Sequence, residues 1–333
     1  MQVNSFILEM QLSVPDFYSQ IQPQLTRVEE KMRIQAENYH PDLKNALGII
    51  LSSGGKRIRA TLTLLCGKML GAAAEQSVTL ASAIELLHTA TLVHDDLIDG
   101  SLLRRGMPTL NSQWSPGATV LTGDFLFARA AKLAAETNNV DVMRIFAETL
   151  GIIVNGEIAQ LFSKRYLVDR DNYFSRIYAK TASLFETACK SAAILSNASL
   201  EIQENLGSYG YNIGLAFQIV DDILDFNGEQ ITLGKPVGSD LRQGLLTLPV
   251  LIYLDRYPED SNVRSLMSHG ILDDLSQPSQ FIHDISRSEV IDMAHQEAEK
   301  FVDMAISSLS DFRESKEKSA LVELAKYITA RNY

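Results

Sequence analysis

Apolar residues recur at i, i+3 and i+4 along most of the chain, the spacing of helices that bury one face. The pattern runs over residues 16–38, 57–70, 75–99, 117–137, 140–162, 171–195 and 201–227. It resumes near 246–257, 287–314 and 316–331. Pro15 and Asp16 suit a helix start, and Pro41 marks a break. Alternating strand-like runs with hairpin turns are missing. Loop signals fall at 52–56, 100–116, 163–169, 228–244 and 258–285. No linker rich in Pro, Gly or Ser divides the chain, and no repeat with a period of about 20–50 residues appears. The expectation is one all-α domain over residues 1–333, with ten or more helices. Several are apolar on more than one face, as the central helices of a bundle must be.

Composition narrows the function classes. Of 333 residues, 46% are hydrophobic and 21% charged, a globular balance. The net charge of −11 argues against nucleic acid as a partner, which needs a basic surface. Small anions remain open, because local basic clusters occur in acidic proteins. The two cysteines, Cys66 and Cys189, lie in apolar helical stretches and read as buried free thiols of a reducing compartment. Glu9 interrupts the short apolar run near the start, and no basic segment precedes it. No segment reads as a membrane span. A cytoplasmic protein is expected.

The candidate chemistry lies in "HDDLID" and "VDDILD", which carry Asp95, Asp96 and Asp99, then Asp221, Asp222 and Asp225. Residues four apart lie about 40° apart on a helix, one turn along. Asp95 and Asp99 therefore share a side, as do Asp221 and Asp225. Carboxylates one turn apart repel unless a cation or donor intervenes, and acids at a helix C-terminus oppose its dipole. One such cluster reads as a solvated last turn. Two clusters, each after an apolar run, read as an oxygen-rich site for Mg²⁺, which takes one or two carboxylates plus substrate phosphates.

The cations that a diphosphate needs are close in sequence. "GGKRIR" offers Lys56, Arg57 and Arg59 behind two glycines, before a helix N-terminus. Arg104 and Arg105 follow the first aspartates, while Lys180 and Lys235 flank the second. His88 precedes Asp95 by about two turns and so lies on the aspartate face. His94 lies on another face.

The ordered set "GGKRIR", "LLHTATLVHDDLID", "LRRGMPT", "GDFLFARA", "AKTASLF", "FQIVDDILDF" and "GKPVGSDLRQG" resembles the trans-isoprenyl (polyprenyl) diphosphate synthases, over roughly residues 20–330. The resemblance implies a deep central cavity, Mg²⁺ dependence and a homodimer. It implies Mg²⁺ on Asp95 and Asp99 from one side and Asp221 from the other, supported by Asp96, Asp222 and Asp225. It implies isopentenyl diphosphate on Lys56, Arg59, His88 and Arg105, and an allylic diphosphate on Arg104, Lys180 and Lys235. Thr181 and Gln218 would line the place where positive charge develops. Arg57, between two matched positions, reads as a surface charge. Where the family commonly has "DLREGK", this chain has "DLRQGL", so Gln243 replaces an acid and Leu245 a phosphate-binding lysine.

In that family the residues four and five before the first aspartate form a floor for the growing chain. Here they are Thr91 and Ala90, both small. One isoprene unit is about as long as one helical turn, roughly 5 Å. An open floor implies a long-chain quinone side-chain precursor, heptaprenyl to decaprenyl, with Ile152 or Ile153 as a deeper stop. A bulky residue at Ala90 is expected to shorten the product. Farnesyl or geranylgeranyl synthesis is the alternative, and a non-catalytic subunit of a heteromeric synthase a further one. A terpene cyclase would lack the two basic motifs.

Overall fold

A computed structural model describes residues 16–52, 54–163, 168–227, 237–269 and 278–331. Among these, the long helices are α1 (Gln22–Arg33), α2 (Pro41–Ser52), α3 (Ile58–Met69), α4 (Ala74–Ile98), α5 (Pro116–Ala135), α6 (Val140–Phe162), α7 (Arg170–Ile177), α8 (Ser183–Leu195) and α9 (Leu200–Asn227). They continue with α10 (Leu248–Arg256), α11 (Ser261–His269), α12 (Pro278–Ser286), α13 (Val290–Ser307) and α14 (Lys316–Thr329). The fold is all-α, as the periodicity predicts. Starts follow local chemistry: Ser115, Asn139, Asp169 and Ser315 cap α5, α6, α7 and α14 by accepting backbone N–H bonds.

Several features depart from the pattern read along the chain. Pro41 opens helix α2 instead of breaking one, since the first helical turn needs no N–H there. The interval 258–285 holds α11 and α12. Within 100–116, two short strands, Leu103–Arg104 and Met107–Pro108, pair antiparallel. Their turn, Arg105 at φ 53 and Gly106 at φ 73, has the doubly positive geometry that matches strand twist.

Helix α4 packs along α5, and α9 lies against both α8 and α13. One core joins Leu62, Leu86, Ala90 and Phe185 to Tyr209 and Ile213 on the first half of α9. A second joins Ile219, Ile223 and Phe226 on its second half to Leu248, Phe281 and Ala294. Helix α9 thus joins the two cores, and its aspartates lie on the half that packs in the second.

Between α7 and α8 the chain makes a π-helical turn, Tyr178–Ala182, whose wider turn re-aims Lys180 and Thr181. Gly214 of α9 lets this turn come close: a Cβ there would stand 2.4 Å from the Ala182 Cα. Helix α6 buries Val142, Phe146 and Ile153 but exposes Val154, Ile158, Leu161 and Phe162. By length and composition alone, α6 is long and apolar enough to cross a membrane. Its inner face nevertheless packs on α5 and α8.

Gly214→Ala is expected to destabilise the chain by about 1–3 kcal/mol, because the backbone of Ala182 cannot yield as a flexible side chain would. Denaturant unfolding checks this; unchanged stability would contradict the close packing.

Candidate active site

The first acidic cluster ends α4. Asp96 is buried and takes a forked contact from Arg104, with Nε 3.0 and 3.1 Å from its two oxygens and a terminal nitrogen at 2.8 Å. The small hairpin returns Arg104 to this position. Asp95 faces Lys180, whose Nζ is 3.8 Å from Oδ2 and 2.9 Å from Glu157 on α6. Burial raises the Asp95 pKa to about 6; Lys180 opposes the rise, and Glu157 and Asp99 add to it. Burial alone would lower Lys180, but Asp95, Glu157 and Asp99 outweigh it and hold the ammonium above its ordinary value. Asp99 is exposed at the end of α4.

The second cluster lies on α9. Asp222 is buried and accepts from Tyr173 Oη at 2.7 Å and from Gln218 Nε2 at 2.9 Å. Burial, with Asp240 nearby, pushes its carboxyl well above the usual range. Gln218 in turn accepts from Thr181 Oγ1 at 2.6 Å. Asp225 accepts the backbone N–H groups of Ser239 and Asp240. Asp221 Oδ1 is buried, accepts no hydrogen bond, and lies 3.2 Å from the Arg331 guanidinium. Burial raises its pKa against the pull of Arg331, Arg59 and Lys56.

Lys180 therefore reaches the first cluster while its neighbour Thr181 connects through Gln218 to the second. The π-helical turn ties both acidic walls to adjacent residues.

The basic residues gather around α3 and α4. Lys56 is exposed, with Nζ 5.4 Å from the Tyr327 ring. Arg59 is buried and stacks on Phe185 at 4.5 Å, and its Nε has no hydrogen-bond partner. Burial lowers Arg59 to about 10, against Glu85 and Asp221, so it remains charged near neutrality. Arg57 is not the surface charge its position suggested. At φ 46 it turns inward, within 3.3 Å of Glu29 and 3.9 Å of Glu85. Arg105 donates to the Gly54 carbonyl. Burial, then the charges of Arg59, Arg104, Arg105 and Arg57, hold His88 well below its ordinary value and so neutral at pH 7. His94 meets the Val120 carbonyl at 3.1 Å and packs over Gly123, a structural position.

Lys235 lies outside the described residues. Leu245 is half-buried, and its N–H bonds to the Asp240 carbonyl at 2.9 Å, while Gln243 is exposed. Of the two proposed floor residues, Ala90 is fully buried and Thr91 half-buried. Thr91 therefore keeps accessible surface and Ala90 packs in the core. Ile153 is buried and Ile152 half-buried.

Sequence reasoning missed four residues. Glu157 pairs with Lys180; its only signal is an acid in an apolar helix. Glu85 gives the same signal, accepts the Ala60 N–H at 2.9 Å and faces Arg57. Tyr173 and Arg331 touch Asp222 and Asp221 across long sequence separations, which no local pattern reveals.

The donor set fits a divalent cation shared with a phosphorylated ligand. Among the described residues, no three His, Cys, Asp or Glu side chains converge to hold an ion by themselves. Asp221 keeps a buried oxygen without a hydrogen bond, and Arg57 and Arg59 keep buried donors without acceptors. An anion would satisfy those donors, and its oxygens would complete a metal shell that one or two carboxylates begin.

The polyprenyl synthetase family profile matches residues 40–277. The chain belongs to that family. It is 36% identical to heptaprenyl diphosphate synthase component 2 of Geobacillus stearothermophilus over 95% of this chain and 98% of that protein. It is likewise 36% identical to octaprenyl diphosphate synthase of Escherichia coli strain K12, over 89% and 92%. Its fold matches a polyprenyl synthase of Caulobacter crescentus CB15, solved with calcium and isoprenyl diphosphate. That match has a TM-score of 0.84 at 32% identity, over 96% of this chain and 98% of the other. Like these relatives, the chain is a prenyltransferase.

Asp95 generates a pH prediction for the metal-free synthase. Its folded pKa of about 6 exceeds the ordinary 3.8, so between these values the folded state binds more protons than the unfolded one. Its contribution to stability is thus present at low pH and lost as pH rises through 6, by up to about 3 kcal/mol. Denaturant unfolding of Asp95→Asn is expected to lack this part of the slope, and a slope equal to wild type would contradict the assignment.

Proposed function

We propose that this synthase condenses isopentenyl diphosphate with an allylic diphosphate, uses Mg²⁺, and makes a long-chain all-trans polyprenyl diphosphate. The observation that carries the reading is the π-helical turn. It brings Lys180 to Asp95 and joins Thr181 to Asp222 through Gln218. Two acidic walls and their cations thus serve one place. The names of the heptaprenyl and octaprenyl relatives support the long product. The Caulobacter complex supports a divalent cation with a diphosphate.

The reaction needs the allylic carbon–oxygen bond to break with its electron pair leaving on diphosphate. The isopentenyl double bond then attacks the allylic cation, and a proton is lost to the released diphosphate. No nucleophilic triad is required. Lys180, Arg104 and Lys235 would hold the departing diphosphate, with Lys56, Arg59 and Arg105 on the other substrate. Neutral His88 offers a hydrogen bond without a further charge. Thr181 and Gln218 oxygens supply partial negative charge for the cation. Mg²⁺, held by Asp95, Asp99 and Asp221, would add positive charge for the leaving group.

The exposed apolar residues Val120, Leu121, Val154, Ile158, Leu161 and Phe162 on α5 and α6 support self-assembly. A surface of this kind favours a protein partner. We assign it to a second copy of the chain. The relative named as a component 2 supports a different subunit as the second reading. The buried free thiols suit the reducing conditions of the cytoplasm.

Incubation of the purified chain with Mg²⁺, isopentenyl diphosphate and a farnesyl or geranylgeranyl primer is expected to give products of heptaprenyl length or longer. Products stopping at three or four units would overturn the long-chain reading, and their absence with every primer would favour the two-component one. Asp95→Ala and Asp221→Ala should each lower turnover by about 10²–10³ or more. Thr91→Phe should shorten the product at similar turnover; an unchanged length distribution would refute Thr91 as floor.

A further inference from the structure

Arg331, just beyond helix α14, is more deeply buried than any arginine in the basic motifs, with a side chain only 1% exposed. Its Nε donates to the Ile328 carbonyl at 3.1 Å, and a terminal nitrogen donates to the Phe217 carbonyl at 3.2 Å. The guanidinium carbon stands over the Phe217 ring, 4.0 Å from its centroid. That same nitrogen stands 3.2 Å from Asp221 Oδ1, yet Oδ1 accepts no hydrogen bond.

The geometry is that of a charge held near the carboxylate by other anchors. Two backbone carbonyls and an aromatic face fix the guanidinium, and Asp221 receives its field without being enclosed by its donors. We propose that Arg331 is a positioning residue for Asp221: a built-in counter-cation that competes with the divalent cation for it. The proposal rests on the metal role given to Asp221 above.

A fixed positive charge within hydrogen-bonding distance of Asp221 repels an incoming divalent cation, so metal alone binds the second wall weakly. A diphosphate brings the negative charge that offsets Arg331. The synthase would then take up metal at this wall together with its substrate and not before it. The charges of Arg59 and Lys56 also act on Asp221 and add to the same effect.

The test is Mn²⁺ binding to the substrate-free protein at pH 8, followed by electron paramagnetic resonance. Arg331→Met, which keeps an apolar stem on Phe217, is expected to bind Mn²⁺ at least about threefold more tightly than wild type. Arg331→Lys should stay within about twofold of wild type, because it restores the charge. Adding Asp221→Asn to Arg331→Met should abolish the gain. Unchanged or weaker binding by a folded Arg331→Met, or a gain that survives without Asp221, overturns the proposal. Should the methionine variant not fold, Arg331→Gln retains a donor for the Phe217 carbonyl and must show the same gain. If Asp221→Asn alone leaves wild-type Mn²⁺ binding and turnover intact, the metal role of Asp221 itself fails.

Discussion

Carboxylates withdrawn from water beside one another need positive charge or hydrogen-bond donors, and the helix ends at this site are arranged around that need. Asp96 has Arg104, Asp95 shares Lys180 with Glu157, and Asp221 faces Arg331. Asp222 has Tyr173 and Gln218, and Asp225 has two backbone amides. The partners divide the aspartates by task. The oxygens of Asp222 and Asp225 are taken up by short hydrogen bonds, whereas Asp95 and Asp221 are met by longer ionic contacts.

The fold supplies those partners from far apart in the chain. The hairpin after α4 turns Arg104 back onto the helix it has just left. The π-helical turn aims consecutive side chains at opposite walls, and Gly214 gives it room. A regular α-helix would place Lys180 and Thr181 about 100° apart but could not set them by this local widening. The basic loop enters α3 through a left-handed Arg57, whose inward side chain meets the acids of α1 and α4. Strain at such a position is offset by the ion pairs it makes possible.

Most helices were legible because burial of one face imposes a spacing that survives in sequence. The aspartate pairs and basic motifs were legible because each is local. What escaped was non-local or too short to show a period. Two-residue strands cannot alternate visibly, and Pro41 reads equally as a stop or a start. The π turn in "YAKTA" has no compositional mark. Tyr173, Glu157 and Arg331 act only through residues brought near by folding. Even Arg57, inside a recognised motif, was misread as exposed because its direction depends on one backbone angle.

Under the proposed function, the two acidic walls serve one diphosphate. The most direct test is a double-mutant cycle on inorganic diphosphate binding, measured by calorimetry in saturating Mg²⁺, with Asp95→Asn, Asp221→Asn and both together. A shared site predicts that each single change removes most of the affinity and the double change little more. Losses that simply add would mean the walls bind independently, and would contradict the account.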